Sequence, residues 1–129
     1  EELFNFELVI PEKIILSDSV HSVCIAGVEG DMTIFANHSP LATAVRPGYV
    51  DINSNSNSER YFLTGGFVQI TGDEVVVLAE SALLENEVSS DMIDKIIHKT
   101  KSLMENATEI QKSVLAKKLN DLITIRDQL

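Results

Sequence analysis

The spacing of apolar residues changes once along this chain, near residue 85, and that change limits the fold more than any other feature. Before it, apolar and polar residues alternate in short runs separated by turn formers about every 8–12 residues. After it, apolar residues recur with the 3.6-residue period of an α-helix. The sequence therefore predicts a β-sandwich, or flattened barrel, over 1–84 and a C-terminal antiparallel two-helix hairpin over 85–129.

The strand predictions rest on alternation and on turn-forming residues. Residues 4–10 alternate between apolar and polar side chains, and Pro11 ends that run. Residues 75–79 are apolar without a break, which predicts a strand buried on both faces. Further short strands are predicted at 14–16, 21–26, 32–35, 41–45, 49–52, 60–64 and 67–71, with a turn at 27–31, an irregular loop at 37–40 and a polar hairpin tip at 54–58.

Two amphipathic helices are predicted after residue 85, roughly at 90–105 and 108–127. Ser89 or Ser90 can cap the first helix, and Thr108 with Gln111 has the spacing of a capping box at the start of the second. Because only a few residues separate the two helices, they are expected to lie antiparallel as a hairpin.

The apolar stripes of the two helices differ in breadth. The first spans about 140° of the helical wheel and the second about half of the circumference. The broad second stripe has two interpretations: either the helix exchanges burial partners, or its long basic side chains lie over one fixed core face. The first stripe contains Met92, Ile93, Ile96, Ile97, Thr100, Leu103 and Met104, and the second contains Val114, Leu115, Leu119, Leu122, Ile123, Ile125 and Leu129, with Lys112, Lys118 and Arg126 inside its arc.

The charge of the chain is unevenly distributed. The formal net charge of the 129 residues is −10, and all of it is carried by residues 1–86. The acidic balance argues against nucleic acid and against an anionic membrane surface as partners. No apolar run approaches the roughly 18–20 residues of a membrane span, so direct membrane insertion is not expected, and the N-terminus lacks a signal-peptide pattern.

Residues that often carry chemistry are present but are not grouped into a site. Cys24 has no basic neighbour that would form a thiolate, and Glu29 with Asp31 is more simply explained as a solvated turn than as a catalytic carboxylate pair. The residues alone therefore predict an interaction protein with no cofactor and no metal. None of the three histidines has a second ligand at metal-binding spacing; they are His21, His38 and His98.

Several segments carry a resemblance through their order and spacing. The segment Gly27–Leu41 opens with Gly-x-Glu-Gly-Asp and ends with His-x-Pro-Leu, and the others are Phe6–Glu12, Arg46–Gly48, Arg60–Phe67 and Val77–Ala82. Together they resemble the epsilon subunit of bacterial-type F-type ATP synthases, which is called delta in mitochondria. With the helical hairpin, the resemblance covers nearly the whole chain.

The chain departs from this family at two places. Thr33 replaces a usual Gly, and Ala36-Asn37 replaces a common Pro-Gly, although Asn37 can still adopt the positive φ that Gly supplies. Some members bind ATP through an Asp and an Arg at the start of the first helix. Ser89 and Met92 stand at those positions, and a register shifted to Asp94 places Ile97 where the Arg belongs. We therefore expect no ATP site.

The resemblance implies a non-catalytic subunit of the central-stalk rotor of a proton-translocating ATP synthase. Such a subunit docks the gamma subunit to the c-ring of the membrane sector, at the cytoplasmic face of the bacterial inner membrane. Its helical hairpin regulates ATP hydrolysis by extending to the alpha and beta subunits. The alternatives are an unrelated acidic β-sandwich adaptor with a helical hairpin, and a small-ligand hydrolase using Glu29 and Asp31.

The resemblance also implies roles for individual residues. It places Glu29, Gly30 and Asp31 on an exposed turn that faces the c-ring, and the loop of His38, Ser39 and Pro40 near gamma. The regulatory helices are represented by Met92, Ile96, Leu115, Leu119, Leu122 and Arg126.

Overall fold

The computed structural model describes residues 2–55 and 57–129. The chain forms two compact units, Glu1–Glu85 and Asn86–Leu129. The described strands all lie in the first unit, and both α-helices lie in the second. The predicted polar tip at 54–58 includes Ser56, which lies outside the described residues.

The first unit is built from one sheet, which curls into a nearly closed barrel and confirms the predicted β-sandwich class. Its described strands are β1 (Phe4–Ile10), β2 (Lys13–Val20), β3 (Ser22–Gly27), β4 (Gly30–Phe35), β5 (Leu41–Val45), β6 (Gly48–Asn53), β7 (Ser58–Leu63), β8 (Gly66–Ile70), β9 (Glu74–Ala79) and β10 (Ala82–Leu84). They follow the order β10-β7-β6-β3-β5-β8-β9-β1-β2, and β4 pairs with β3.

Because side chains alternate in direction along each strand, one set of them points into the barrel. Strand β1 pairs antiparallel with β2 and parallel with β9, which brings Leu8 opposite Val77, and both are fully buried. This alternation is the pattern that the sequence predicted for residues 4–10. The buried core consists of Phe4, Phe6, Leu8, Val20, Val23, Ile25, Ile34, Val45, Val50, Ile52, Tyr61, Leu63, Val68, Ile70, Val75, Val77 and Ala79.

Most predicted strand boundaries are wrong by one or two residues, the end of β2 is wrong by four, and β10 was not predicted. Strand β2 continues from the predicted 14–16 to Val20, because its backbone pairs with β1 over its whole length and an edge strand needs no apolar side chains for that pairing. Strand β4 begins at Gly30 rather than at Met32, because Gly30 pairs with Gly27 and leaves only two residues in the turn.

The prediction that residues 75–79 are buried on both faces is also wrong. Val75, Val77 and Ala79 point into the core, but Leu78 on the outer face is half exposed. An unbroken apolar run indicates that both faces of a strand are suited to burial, not that both are buried within the same chain. The outer face of β9 is therefore apolar surface.

The second unit consists of α1 (Ser90–Met104) and α2 (Glu109–Asp127), preceded by a short 3₁₀ helix at Glu85–Glu87. Both predicted caps are confirmed. The Ser89 hydroxyl accepts a hydrogen bond from the backbone N–H of Met92 at 3.2 Å. Thr108 and Gln111 exchange the two bonds of a capping box at 2.9 and 3.2 Å.

The helices pack against each other through part of their predicted stripes. Ile93, Ile97 and Thr100 are buried on α1, and Leu122 and Ile125 are buried on α2. One neighbouring helix covers a limited arc, so the outer members of a broad stripe stay exposed. Three residues of the two stripes are exposed: Leu103, Val114 and Leu129.

We expect a chain that ends at residue 85 to fold without the hairpin. Its core lies entirely between Phe4 and Ala79, and a domain of this size has about 4–13 kcal/mol of unfolding free energy available. Urea denaturation followed by circular dichroism should show one cooperative transition. A broad, non-cooperative transition would mean that the strands need the helices to close their core.

Candidate partner-binding surfaces

The turn between β3 and β4 presents two carboxylates to solvent. Val28 and Glu29 form its tip, and Gly30 follows with φ +133°, a conformation that favours glycine. Asp31 is the second residue of β4 and pairs with Ala26. The described residues of this acidic turn, Val28–Asp31, are all exposed, which agrees with the predicted exposed turn.

Arg46 holds the acidic turn in place. Its Nε donates to the Gly27 carbonyl at 2.8 Å, and its Nη2 donates to Asp31 Oδ1 at 2.7 Å. The backbone N–H of Val28 donates to the Ala44 carbonyl at 3.1 Å. The turn is thus a rigid feature rather than a loose loop, and Arg46 neutralises part of its charge. Asp31 lines a cavity of about 230 Å³, but Glu29 is not part of that lining. The exposure of both carboxylates argues against the hydrolase alternative, which requires a deep pocket around the pair.

The loop before β5 also takes the predicted conformation. Asn37 has φ +64°, the positive φ that an asparagine at this position is able to adopt. Its side-chain amide donates to Glu2 Oε2 at 2.8 Å, and His38 Nδ1 donates to the Ser39 carbonyl at 2.8 Å. His38 is half buried, whereas Ser39 and Pro40 are exposed.

The acidic turn and the His38 loop lie at opposite ends of β5. The loop leads into Leu41, which pairs with Ile70, whereas the acidic turn lies beside Ala44 at the other end. Five residues of β-strand separate the two ends by roughly 13 Å. The structure therefore does not bring the two predicted sites together, and they would contact different regions of a partner.

An apolar row crosses the outer face of five strands. Its members are register partners: Ile14 pairs with Val9, Val9 with Leu78, Leu78 with Phe67, and Phe67 with Ala44. Ile14 is 56% exposed, Leu78 50% and Phe67 43%, and the other two are half buried. We call these five residues, on β2, β1, β9, β8 and β5, the apolar row. A contiguous row of exposed apolar side chains is a candidate interaction surface.

The apolar row is continuous with a groove and with the acidic turn. A shallow groove of about 410 Å³ runs beside Val9 and Leu78 and is also lined by Pro11 and Glu80. At the other end, Ala44 is hydrogen-bonded to Val28, whose side chain is exposed. The outer face therefore has an apolar surface that is bordered at one end by the carboxylates of Glu29 and Asp31.

The predicted regulatory residues occupy several environments on the hairpin. Leu122 is buried, and the other four apolar ones are half buried; these are Met92, Ile96, Leu115 and Leu119. Arg126 Nη1 donates to Asp94 Oδ1 at 3.1 Å and joins the ends of the two helices. This carboxylate contact raises the pKa of Arg126 above its usual value.

Charge is polarised along the hairpin. Residues 98–118, which form the half nearest the turn between the helices, carry five Lys and two Glu, a net charge of +3. The remaining residues of 86–129 carry two bases and five acids, a net charge of −3. The basic half also exposes apolar side chains, of which Ile110 is 80% exposed. We call residues 98–118 the basic tip.

Over the described residues, no group of three or more His, Cys, Asp or Glu side chains is placed to hold a metal ion. Cys24 is half buried, and its Sγ lies 3.4 Å from Thr33 Oγ1. Neither described helix is both long and apolar enough to cross a membrane.

The apolar row is the surface that sequence reasoning missed. Its signal was present in residues 75–79, whose odd and even positions are both apolar. We interpreted that signal as burial inside the chain, because sequence alone does not distinguish a second buried face from a face kept for a partner. Phe67, directly opposite Leu78, carries the same ambiguity.

Comparison with solved structures shows where this fold occurs. The chain matches a chain in the central stalk and c-ring structure of Tetrahymena thermophila mitochondrial ATP synthase with a TM-score of 0.73 and 16% identity, over 99% of this chain and 96% of that one. It also matches a chain in the Euglena gracilis mitochondrial ATP synthase structure with a TM-score of 0.70 and 18% identity, over 92% and 76% of the two chains. Identities this low show a shared fold.

Sequence comparison is more specific. A family model for the β-sandwich domain of the ATP synthase delta/epsilon chain matches residues 3–85. The ATP synthase epsilon chain of Sinorhizobium medicae (strain WSM419) is 39% identical over 94% of this chain and 91% of its own length. That of Cereibacter sphaeroides (strain ATCC 17025 / ATH 2.4.3) is 33% identical over 95% and 92%. On this evidence the chain belongs to the ATP synthase epsilon chain family.

Proposed function

We propose that this chain is a non-catalytic central-stalk subunit that docks gamma to the c-ring of a proton-translocating F-type ATP synthase and regulates ATP hydrolysis through its hairpin. The observation that carries the proposal is the apolar row, which ends at a braced acidic turn on a domain of the matched family. We further propose a peripheral position at the cytoplasmic face of a bacterial inner membrane, because the similar epsilon chains reported above are bacterial.

The apolar row is proposed as the gamma-binding surface. Ile14, Leu78 and Phe67 project from adjacent strands, so one elongated apolar surface on gamma would bury all three. Burying two or three large apolar side chains is worth several kcal/mol, at about 1.5–3 kcal/mol for each fully buried side chain. The His38, Ser39 and Pro40 loop stays a separate prediction as a second gamma contact, because it lies at the other end of β5.

The acidic turn is proposed to face the c-ring. Glu29, Gly30 and Asp31 present charge without burial, which suits contact with basic groups on loops of the ring. Arg46 fixes the position of Asp31, so the turn loses little conformational entropy on binding.

The hairpin is proposed to contact the alpha and beta subunits when it extends. The basic tip favours an acidic partner surface, and its exposed Leu103, Ile110 and Val114 supply apolar contact. Of the two interpretations of the broad α2 stripe, the proposal takes the one in which the helix exchanges burial partners. Val114 and Leu129 favour that interpretation.

The test of the proposed function is complex formation with gamma. The full chain and a gamma subunit from a close bacterial relative should elute together in size-exclusion chromatography, with a dissociation constant below about 1 μM, or about −8 kcal/mol. Adding the c-ring in detergent should bring a third component into the same peak. Separate elution of the chain and gamma at micromolar concentrations would favour the alternative of an unrelated adaptor.

We predict that the isolated chain does not bind ATP in the micromolar range. The only arginine of the hairpin, Arg126, is paired with Asp94 and Asp127, and Ser89 is occupied as the helix cap. Binding a polyphosphate requires several charge-assisted hydrogen bonds from groups that converge. Isothermal titration should therefore show no saturable signal; a dissociation constant below about 100 μM, or about −5.5 kcal/mol, would contradict the prediction.

A further inference from the structure

The last strand of the sheet, β10, is short, and its side chains become more exposed toward its end. It has three residues and lies at one end of the strand order, opposite Tyr61, Phe62 and Leu63 of β7. Two of its residues are half buried, and Leu84 is exposed. Ala82 packs against the core and Leu83 stands opposite the fully buried Phe62, so the side-chain burial of β10 is smallest at Leu84.

An ion pair extends the β10–β7 pairing by one position. The register that places Leu84 opposite Tyr61 brings Glu85 opposite Arg60, and there the backbone of Glu85 turns into the 3₁₀ helix. The side chains interact instead: Arg60 Nη1 donates to Glu85 Oε2 at 3.2 Å. This contact links β7, through Arg60, to the residue that directly precedes the second unit.

Residues of the sheet fix the position of the Arg60 guanidinium that contacts Glu85. Its Nε donates to Asp51 Oδ1 on β6 at 2.7 Å, and its guanidinium lies 4.7 Å from the centre of the Tyr49 ring. These contacts do not depend on β10, so the guanidinium keeps its position when Glu85 leaves. Glu85 itself is 57% exposed, which keeps its ion pair weak and sensitive to salt.

The opposite end of the segment is anchored more firmly. Thr64 is buried, its hydroxyl lies 2.9 Å from that of Ser81, and its backbone N–H donates to the Ser81 carbonyl at 3.4 Å. Leaving a buried hydroxyl unpaired costs more than separating two exposed charges. Detachment therefore starts at Glu85 and stops at Ser81.

We propose that Ala82–Glu85 is a releasable clasp that sets the length of the tether to the hairpin. With the clasp closed, the tether begins at Asn86. With it open, four more residues join the tether and add up to about 13 Å of reach. The opening is a property of the isolated chain, and only its regulatory use rests on the proposed function.

The test is native-state hydrogen exchange of the full chain by NMR, without any partner. The Leu83 and Leu84 amides should exchange at least about 100-fold faster than amides of β8 and β9, because the clasp opens without global unfolding. Glu85→Gln removes the ion pair and leaves the Arg60–Asp51 contact, so it should accelerate exchange in β10 about two- to fivefold. Raising the salt concentration to 1 M should have a similar effect on the unmodified chain and little effect on the variant.

The matched control is Glu12→Gln, which removes the same charge from an exposed position outside the clasp. It should leave β10 exchange unchanged. The proposal is overturned if the β10 amides exchange only as slowly as those of β8 and β9, or if Glu85→Gln accelerates them no more than Glu12→Gln does. Both outcomes are independent of gamma binding, so a failure here is distinct from a failure of the proposed function.

Discussion

Replacing Leu78 with glutamate is expected to weaken gamma binding by about 100-fold or more. Leu78 lies in the middle of the apolar row, paired with Val9 on one side and Phe67 on the other. The substitution removes an apolar contact and places an unpaired carboxylate in a surface that becomes buried on binding, which together cost about 3 kcal/mol. Isothermal titration of the variant with gamma measures this loss.

The stability of the free chain provides the first control for this prediction. Leu78 is half exposed and points away from the core, so its replacement should change the free energy of unfolding by less than about 1 kcal/mol. Leu3→Glu is the matched variant, because Leu3 has similar exposure and lies outside the row. Equal affinities of the Leu78 and Leu3 variants for gamma would remove the row from the docking surface.

Replacing Gly66 with alanine is expected to destabilise the β-sandwich by about 3 kcal/mol or more. A Cβ atom at Gly66 would lie 2.2 Å from the Leu78 carbonyl oxygen and 2.9 Å from Ala79 Cα, and both atoms belong to the backbone of β9. Relief of that clash requires β8 and β9 to separate where Gly66 and Ala79 pair. Urea denaturation of the full chain measures the change.

Gly72→Ala is the control for the effect of replacing a glycine. A Cβ atom at Gly72 meets nothing within 4 Å, so this variant should stay within about 0.5 kcal/mol of the unmodified chain. If the two alanine variants have the same midpoint and slope, the close approach of β8 and β9 at Gly66 is not a feature of the folded chain.

Local chemistry determined which features could be predicted from sequence. The caps at Ser89 and Thr108 depend on side chains that bond to their own helix, so residue type and spacing were sufficient. The positive φ of Asn37 was predictable for a similar reason, because it depends on the type of that one residue. The extension of β2 to Val20 was missed because strand pairing with β1, and not side-chain polarity, decides where that strand ends.

The candidate site was harder to predict, because a binding surface and a core strand can have the same sequence. Glu29 and Asp31 were recognised through the motif that contains them and through the turn formers beside them. Leu78 and Phe67 form one apolar surface only because β9 and β8 pair in this register, and that register depends on the whole sheet. For the same reason, the pairing of Arg60 with Glu85, 25 residues apart, has no signal in the sequence.

Hydroxyl-radical footprinting of the chain, free and bound to gamma, tests the central claim most directly. Oxidation of Phe67 and Leu78 should fall several-fold in the complex, whereas Tyr49 on β6, outside the row, should be oxidised as in the free chain. Protection of Phe35 would report separately on the neighbouring His38 loop. If Phe67 and Leu78 are oxidised equally in the free and bound states of a stable complex, gamma does not bind the apolar row and the account is contradicted.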